Sequence, residues 1–117
     1  MKNSIAKKRI LSISYDESLL ATRQMILEQA GYEVTSALGF AEALERSKQR
    51  PFDLVVLGHS LPLKDKSAIV AALKGKDKPK ILSIRRHGDA PIPEADASVE
   101  AIEGPQALLQ AVRKTLN

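Results

Sequence analysis

Phe52-Asp53-Leu54-Val55-Val56-Leu57-Gly58-His59-Ser60-Leu61-Pro62 is the stretch on which the fold turns. Its apolar run, Leu54 to Leu57, is too short for an independent helix and lies between Pro51 and Gly58. Such a run, bounded by turn signals, reads as a strand buried on both faces, the condition of a central strand in a parallel sheet covered by helices. Gly58, His59 and Ser60 then stand just past its C-terminal end, where open α/β sheets carry ligands and chemistry.

Working outward, the chain alternates strands and helices. Arg9 to Ser14 reads as a first strand, and Asp16 as the N-cap of a helix over Glu17 to Ala30. That helix has Leu19, Leu20, Ile26, Leu27 and Ala30 on its inner face and stops at Gly31. Tyr32 to Ala37 reads as a less apolar edge strand. A helix from Phe40 to Gln49 follows, with Phe40, Ala41, Ala43 and Leu44 apolar, and Arg50-Pro51 ends it.

Beyond the central strand, Leu63 to Lys66 is expected as a loop, and Ser67 to Lys74 as a helix with Ala68, Ile69, Ala72 and Leu73 inward, closed by Gly75. Lys76-Asp77-Lys78-Pro79 is a charged turn before a strand over Lys80 to Ile84. From Arg85 to Pro93 the alternation fails, because two prolines and a glycine oppose a helix of normal length. Ala97-Ser98-Val99 is a brief strand. Gly104-Pro105 opens a last helix with Leu108, Leu109, Val112 and Leu116 on one stripe. With right-handed crossovers this order makes a doubly wound five-stranded parallel α/β sheet.

Composition narrows the function. The 117 residues suit one domain, with a basic N-terminal tail over residues 1–8 and a folded unit over residues 9–117. There are no cysteines, which excludes disulfides, thiolate metal sites and a cysteine nucleophile. No apolar run approaches the roughly 20 residues of a membrane span. The N-terminus lacks the apolar core of a secretion signal, so a cytoplasmic location is expected. The net charge of +4 is modest, and two Tyr, two Phe and no Trp offer little for base stacking, so nucleic acid is not an expected partner.

Glu28-Gln29-Ala30-Gly31-Tyr32-Glu33-Val34, and Pro51 to Leu57 followed by Leu61-Pro62, resemble the receiver domain of bacterial response regulators. The resemblance runs from about Arg9 to Leu116. It implies a flavodoxin-like sheet of order 2-1-3-4-5, here with the fourth helix shortened or missing. It also implies where the phosphorylation site should be, and that site is degenerate. The phosphoacceptor aspartate position is Gly58, and the Mg²⁺-holding acidic pair is Ser14-Tyr15. The Thr/Ser position is Ile84, with Ser83 one residue earlier, the lysine position is Ala101, and the aromatic switch position is Ser98. Glycine has no nucleophile, and phosphoryl transfer also needs a metal on oxygen ligands.

The expectation is therefore a stand-alone pseudo-receiver of two-component or phosphorelay type. It would be no enzyme, would need no cofactor or metal, and would act on a protein partner by phosphorylation-independent contact. His59 has no companion at metal-ligand spacing, since His87 lies on a different loop. A Ser14/His59/Asp16 triad lacks the G-x-S-x-G elbow. His59, Ser60, Lys64, Lys66, Arg85, Arg86 and His87 form a basic rim at the strand ends and are the candidate partner or anion contacts. The alternative is a sensor that binds an anionic small ligand, such as a nucleotide, at this edge.

Overall fold

A computed structural model of the chain describes residues 6–73 and 78–117. The elements follow in the order β1 (Arg9–Ser14), α1 (Glu17–Gln29), β2 (Glu33–Leu38), α2 (Gly39–Ser47), β3 (Leu54–Leu57), α3 (Leu63–Ala72), β4 (Lys80–Arg85) and β5 (Ala97–Glu100). A 3-10 turn (Ala101–Glu103) then leads into α4 (Gly104–Leu116). All strand pairs are parallel and the order is β2-β1-β3-β4-β5, the doubly wound arrangement.

Strand pleat divides the core into two layers. Leu11, Val55 and Ile81 share one rung. They face Ala43 of α2 and Ile69 and Val70 of α3. Ile10, Leu54, Val56 and Leu82 point the other way, against Leu27 of α1 and Leu108 and Val112 of α4. All four residues of β3 are fully buried, so neither face of that strand meets water. Burying each of these side chains contributes about 1.5–3 kcal/mol, which is what holds a strand this short in the centre.

α1 starts as its sequence indicates, with Asp16 Oδ1 accepting the Leu19 N–H at 3.1 Å. Its buried stripe is Leu20, Arg23 and Leu27; Ala30 is exposed, one residue past the helix. α3 differs more from expectation. Leu63 to Lys66 is its first turn rather than a loop, because Pro62 stands extended at the N-cap and its carbonyl accepts the Lys66 N–H at 3.0 Å. Moving the start forward by a turn changes the inner face to Lys66, Ile69 and Val70. Ala68 and Ala72 are exposed, as is Ala41 on α2. Gly75 and the first half of the charged turn beyond it, Lys76 and Asp77, lie outside the described residues, as does most of the basic tail.

No helix forms between β4 and β5. The segment turns at Arg86 to Asp89, where the Asp89 N–H reaches the Arg86 carbonyl at 3.0 Å. Asp96 fastens the far end, its carboxylate accepting the Ile81 N–H at 2.7 Å while its own N–H reaches the Ile81 carbonyl at 2.8 Å. Between these, Ile92 enters the core layer of α2 and α3 and is buried. One side chain thus covers sheet surface that a helix would otherwise cover. Among the described residues no helix is long and apolar enough to cross a membrane.

Ile92→Ala is expected to lower the unfolding free energy by about 2 kcal/mol, at the low end for a buried Ile-to-Ala change because the site lies at the end of the layer. Urea denaturation with an unchanged slope checks this, and a loss near zero would mean the segment does not seal the core.

Candidate functional site

The C-terminal strand ends bring Ser14, Gly58 and Ser83 to one edge, since Ile13, Leu57 and Ser83 share a rung. Gly58 donates its N–H to the Ile13 carbonyl at 2.8 Å. A Cβ at this position would lie 2.7 Å from that carbonyl oxygen, 2.8 Å from Arg23 Nη1 and 3.2 Å from Ser14 Cβ. The space a side chain at 58 would take is therefore filled by a guanidinium. Arg23 reaches it from the buried stripe of α1 and is itself 7% exposed.

Arg23 Nη2 lies 3.1 Å from His59 Nδ1. A guanidinium can only donate, so Nδ1 is the acceptor and His59 is the neutral tautomer with its proton on Nε2. Burial, followed by the charges of Arg23, Arg86 and Lys66, holds the imidazole below its ordinary 6.5, with Asp16 acting in the opposite sense. Burial likewise pushes Arg23 down, opposed by Asp16. Arg23 Nη1 is buried with no hydrogen-bond partner.

Lys66 is not part of a solvated rim. It is 4% exposed, and its ammonium donates to Ser83 Oγ at 3.0 Å and to the Ile84 carbonyl at 2.8 Å. Burial pushes its pKa down; Asp89 opposes this and Arg85 adds to it. The side chain of Ile84 points into the opposite core layer, so at this strand end the hydroxyl beside the ammonium is that of Ser83.

Hydroxyls occupy the end of β1. Ser14 Oγ and Ser60 Oγ are 2.7 Å apart, Ser14 Oγ accepts the Asp16 N–H at 3.0 Å, and Ser60 Oγ accepts the Tyr15 N–H at 2.8 Å. Ser60 thus ties the loop after β3 to β1. Tyr15 crosses to α3 and donates its hydroxyl to Asp65 Oδ2 at 2.7 Å, a bond that chiefly accounts for its raised pKa. Its ring lies over Gly39, where φ is +83° and a Cβ would fall 2.6 Å from Tyr15 Cε1.

A cavity of about 330 Å³ is lined by His59, Ser60, Lys66, Arg86 and Asp89, together with the Leu61 to Leu63 turn and Ala90. Of the expected rim residues, Lys64, Arg85 and His87 stay outside it. Lys64 is exposed on α3, while Arg85 and His87 face Glu100 at 4.0 and 3.5 Å. Ala101 lies in the 3-10 turn, half-buried against the α1–α4 layer, and Ser98 is exposed on β5.

Among the described residues no group of three or more His, Cys, Asp or Glu side chains is placed to hold a metal ion. Asp53, the carboxylate nearest in sequence to Gly58, lies at the other end of β3 and accepts the Arg9 N–H at 2.8 Å. Sequence reading passed over Arg23 altogether, although its place three residues after Leu20 and four before Leu27 marks it as a core position.

No protein-family profile matches the chain. It is 31% identical over 77 residues to the transcriptional regulatory protein PrrA of Mycobacterium leprae, covering 66% of this chain and 33% of that protein. The chain thus spans about a third of the length of the curated relatives it matches. The crystal structure of a CheY-like response regulator receiver domain protein from Methanospirillum hungatei matches with a TM-score of 0.81 and 27% identity, over 95% of this chain and 94% of that one. A signal receiver domain from Bermanella marisrubri shares the fold, with a TM-score of 0.83 at 22% identity over 96% and 100% of the two chains. The chain therefore has the fold of response regulator receiver, CheY-like domains, and these are the proteins it is similar to.

Gly58→Ala is expected to destabilise the domain by about 1–3 kcal/mol, since the Ile13 carbonyl is backbone and cannot move aside without disturbing the sheet. Thermal and urea unfolding report it, and an unchanged stability would refute the close approach. His59 carries a second expectation. Between 6.5 and its lower folded value, the unfolded chain binds a proton that the folded chain does not, so its contribution makes stability fall as pH drops below 6.5. His59→Asn, which keeps an acceptor near Nδ1, should flatten that part of the pH profile, and nitrogen-15 spectra of the wild-type ring should show the proton on Nε2.

Proposed function

We propose that this domain is a receiver-type module of two-component signalling that works by protein contact and is not phosphorylated. The observation that carries the reading is the Arg23 guanidinium beside Gly58, 2.8 Å from where a side-chain Cβ would be. An acyl phosphate needs a carboxylate there, and none is present. A divalent cation needs oxygen ligands with negative charge, whereas Ser14 and Tyr15 offer hydroxyls already committed to Ser60, to the Asp16 amide and to Asp65. Arg23 and Lys66 supply positive charge at this edge from within the fold. A metal cation would be repelled by them.

Without phosphoryl chemistry, the output of such a module lies in what its surface binds. Two regions at or near the remodelled edge are open to a partner: the cavity beside His59, and the turn after β5, where Ile102 is 87% exposed. The similarity to a transcriptional regulatory protein covers a third of that protein, so a role in transcription is a further step that a partner search would have to establish.

Titration with Mg²⁺ and beryllofluoride, followed by amide NMR, tests the reading. The Gly58, His59 and Ser83 amides should shift no more than they do with Mg²⁺ alone, and incubation with acetyl phosphate should add no mass. Saturable beryllofluoride shifts at Gly58 and Ser83 would return the domain to the phosphorylated receivers.

A further inference from the structure

Two cations are buried at this edge without a carboxylate on either. Arg23 is 7% exposed and Lys66 is 4% exposed, and among the described residues neither forms an ion pair. Their partners are neutral: the imidazole of His59 for Arg23, and the Ser83 hydroxyl and Ile84 carbonyl for Lys66. A buried charge without a counter-charge is costly to the fold, and an unsatisfied polar atom such as Arg23 Nη1 calls for an explanation. Lys66 lines the cavity beside His59 and Arg23 does not, so the cavity supplies one for the ammonium.

Three sets of N–H donors are left at the cavity. An ammonium has three donors and Lys66 uses two, so one remains. His59 has its Nε2 proton. The guanidinium of Arg86 has no partner among the described residues, although its backbone N–H is held by Asp89 Oδ2 at 2.8 Å. The charged side chains that line the cavity are Lys66 and Arg86 on one side and Asp89 on the other, with His59 neutral. Arg85 and Glu100 face each other. One positive charge is left over.

We propose that the cavity lined by His59, Ser60, Lys66 and Arg86 receives a single carboxylate side chain from an acidic segment of a partner protein. The inference rests on the protein-contact reading above and names the chemistry of the contact. One negative charge balances the site. A phosphate dianion would overshoot that balance. Lys64, exposed on the same helix but outside the cavity, takes no part.

The test uses the full chain and three probes, compared with sodium chloride at equal ionic strength. These are sodium acetate, sodium phosphate, and a peptide blocked at both ends that carries one Glu among alanines. Acetate and the peptide should give saturable shifts at the His59 ring and the Ser60 and Lys66 amides. Binding should weaken at least tenfold in Arg86→Gln and in Lys66→Met, and be unchanged in Lys64→Gln. Arg86 is exposed, so its variant keeps the test decisive if Lys66→Met does not fold.

Shifts reproduced by chloride would overturn the proposal, as would wild-type binding by Arg86→Gln. Tighter binding of phosphate than of acetate would replace the carboxylate with a phosphate ligand. Acetate binding without peptide binding would rule out a protein source. None of these outcomes alters the beryllofluoride result, so the two readings fail separately.

Discussion

The approach of the Arg23 guanidinium to the backbone of Gly58 is the constraint on which this edge of the molecule depends. A cation can reach that point only because residue 58 has no side chain and because α1 turns position 23 inward between Leu20 and Leu27. Its presence then sets the tautomer of His59, through the one hydrogen bond a guanidinium can make to an imidazole. Lys66 completes the arrangement from the other face of the sheet, so the edge is approached by positive charge from both layers.

This reverses the electrostatics that the receiver resemblance implies for the same place. A site that holds a metal cation and a covalent phosphoryl group needs carboxylates to gather there. Here the carboxylates near the edge have other work. Asp16 caps α1, Asp65 holds the Tyr15 hydroxyl, and Asp89 closes the turn after β4. The scaffold is retained because its stability comes from the two apolar layers on either side of β3, which do not involve the edge. Strand ends and loops can therefore change their chemistry while the sheet keeps its order.

The β4–β5 connection is a second departure confined to one region. Gly88, Pro91 and Pro93 rule out a helix of normal length, yet sheet surface still needs cover on that side. Ile92 supplies it from an irregular segment, with Asp96 pinning the return to Ile81. Among the described residues the result is a sheet that keeps five parallel strands with four α-helices.

Much of the fold was legible in the residue pattern. The unbroken apolar run of β3, the N-cap at Asp16, the edge character of β2 and the proline break after β4 are local signals, and each acts over a few residues. With right-handed crossovers they are enough for a doubly wound parallel sheet, while the order 2-1-3-4-5 came from the receiver resemblance. The positions of Gly58, Ser14 and Tyr15 at the strand ends were legible for the same reason. The roles of Arg23 and Lys66 were not. Charged residues are read by default as solvent-facing, and the start of α3 was placed four residues late, which turned Lys66 outward. Whether a long cationic side chain lies in water or reaches a strand end depends on helix register and on the room left by its neighbours. Those are properties of packing between elements far apart in sequence. The sequence by itself determined a doubly wound sheet with a glycine at the end of its central strand, because hydrophobic period and turn chemistry are local. Only the tertiary structure decided that one buried cation would reach that glycine and a second the neighbouring end of β4, because their burial depends on how α1 and α3 pack against opposite faces of the sheet.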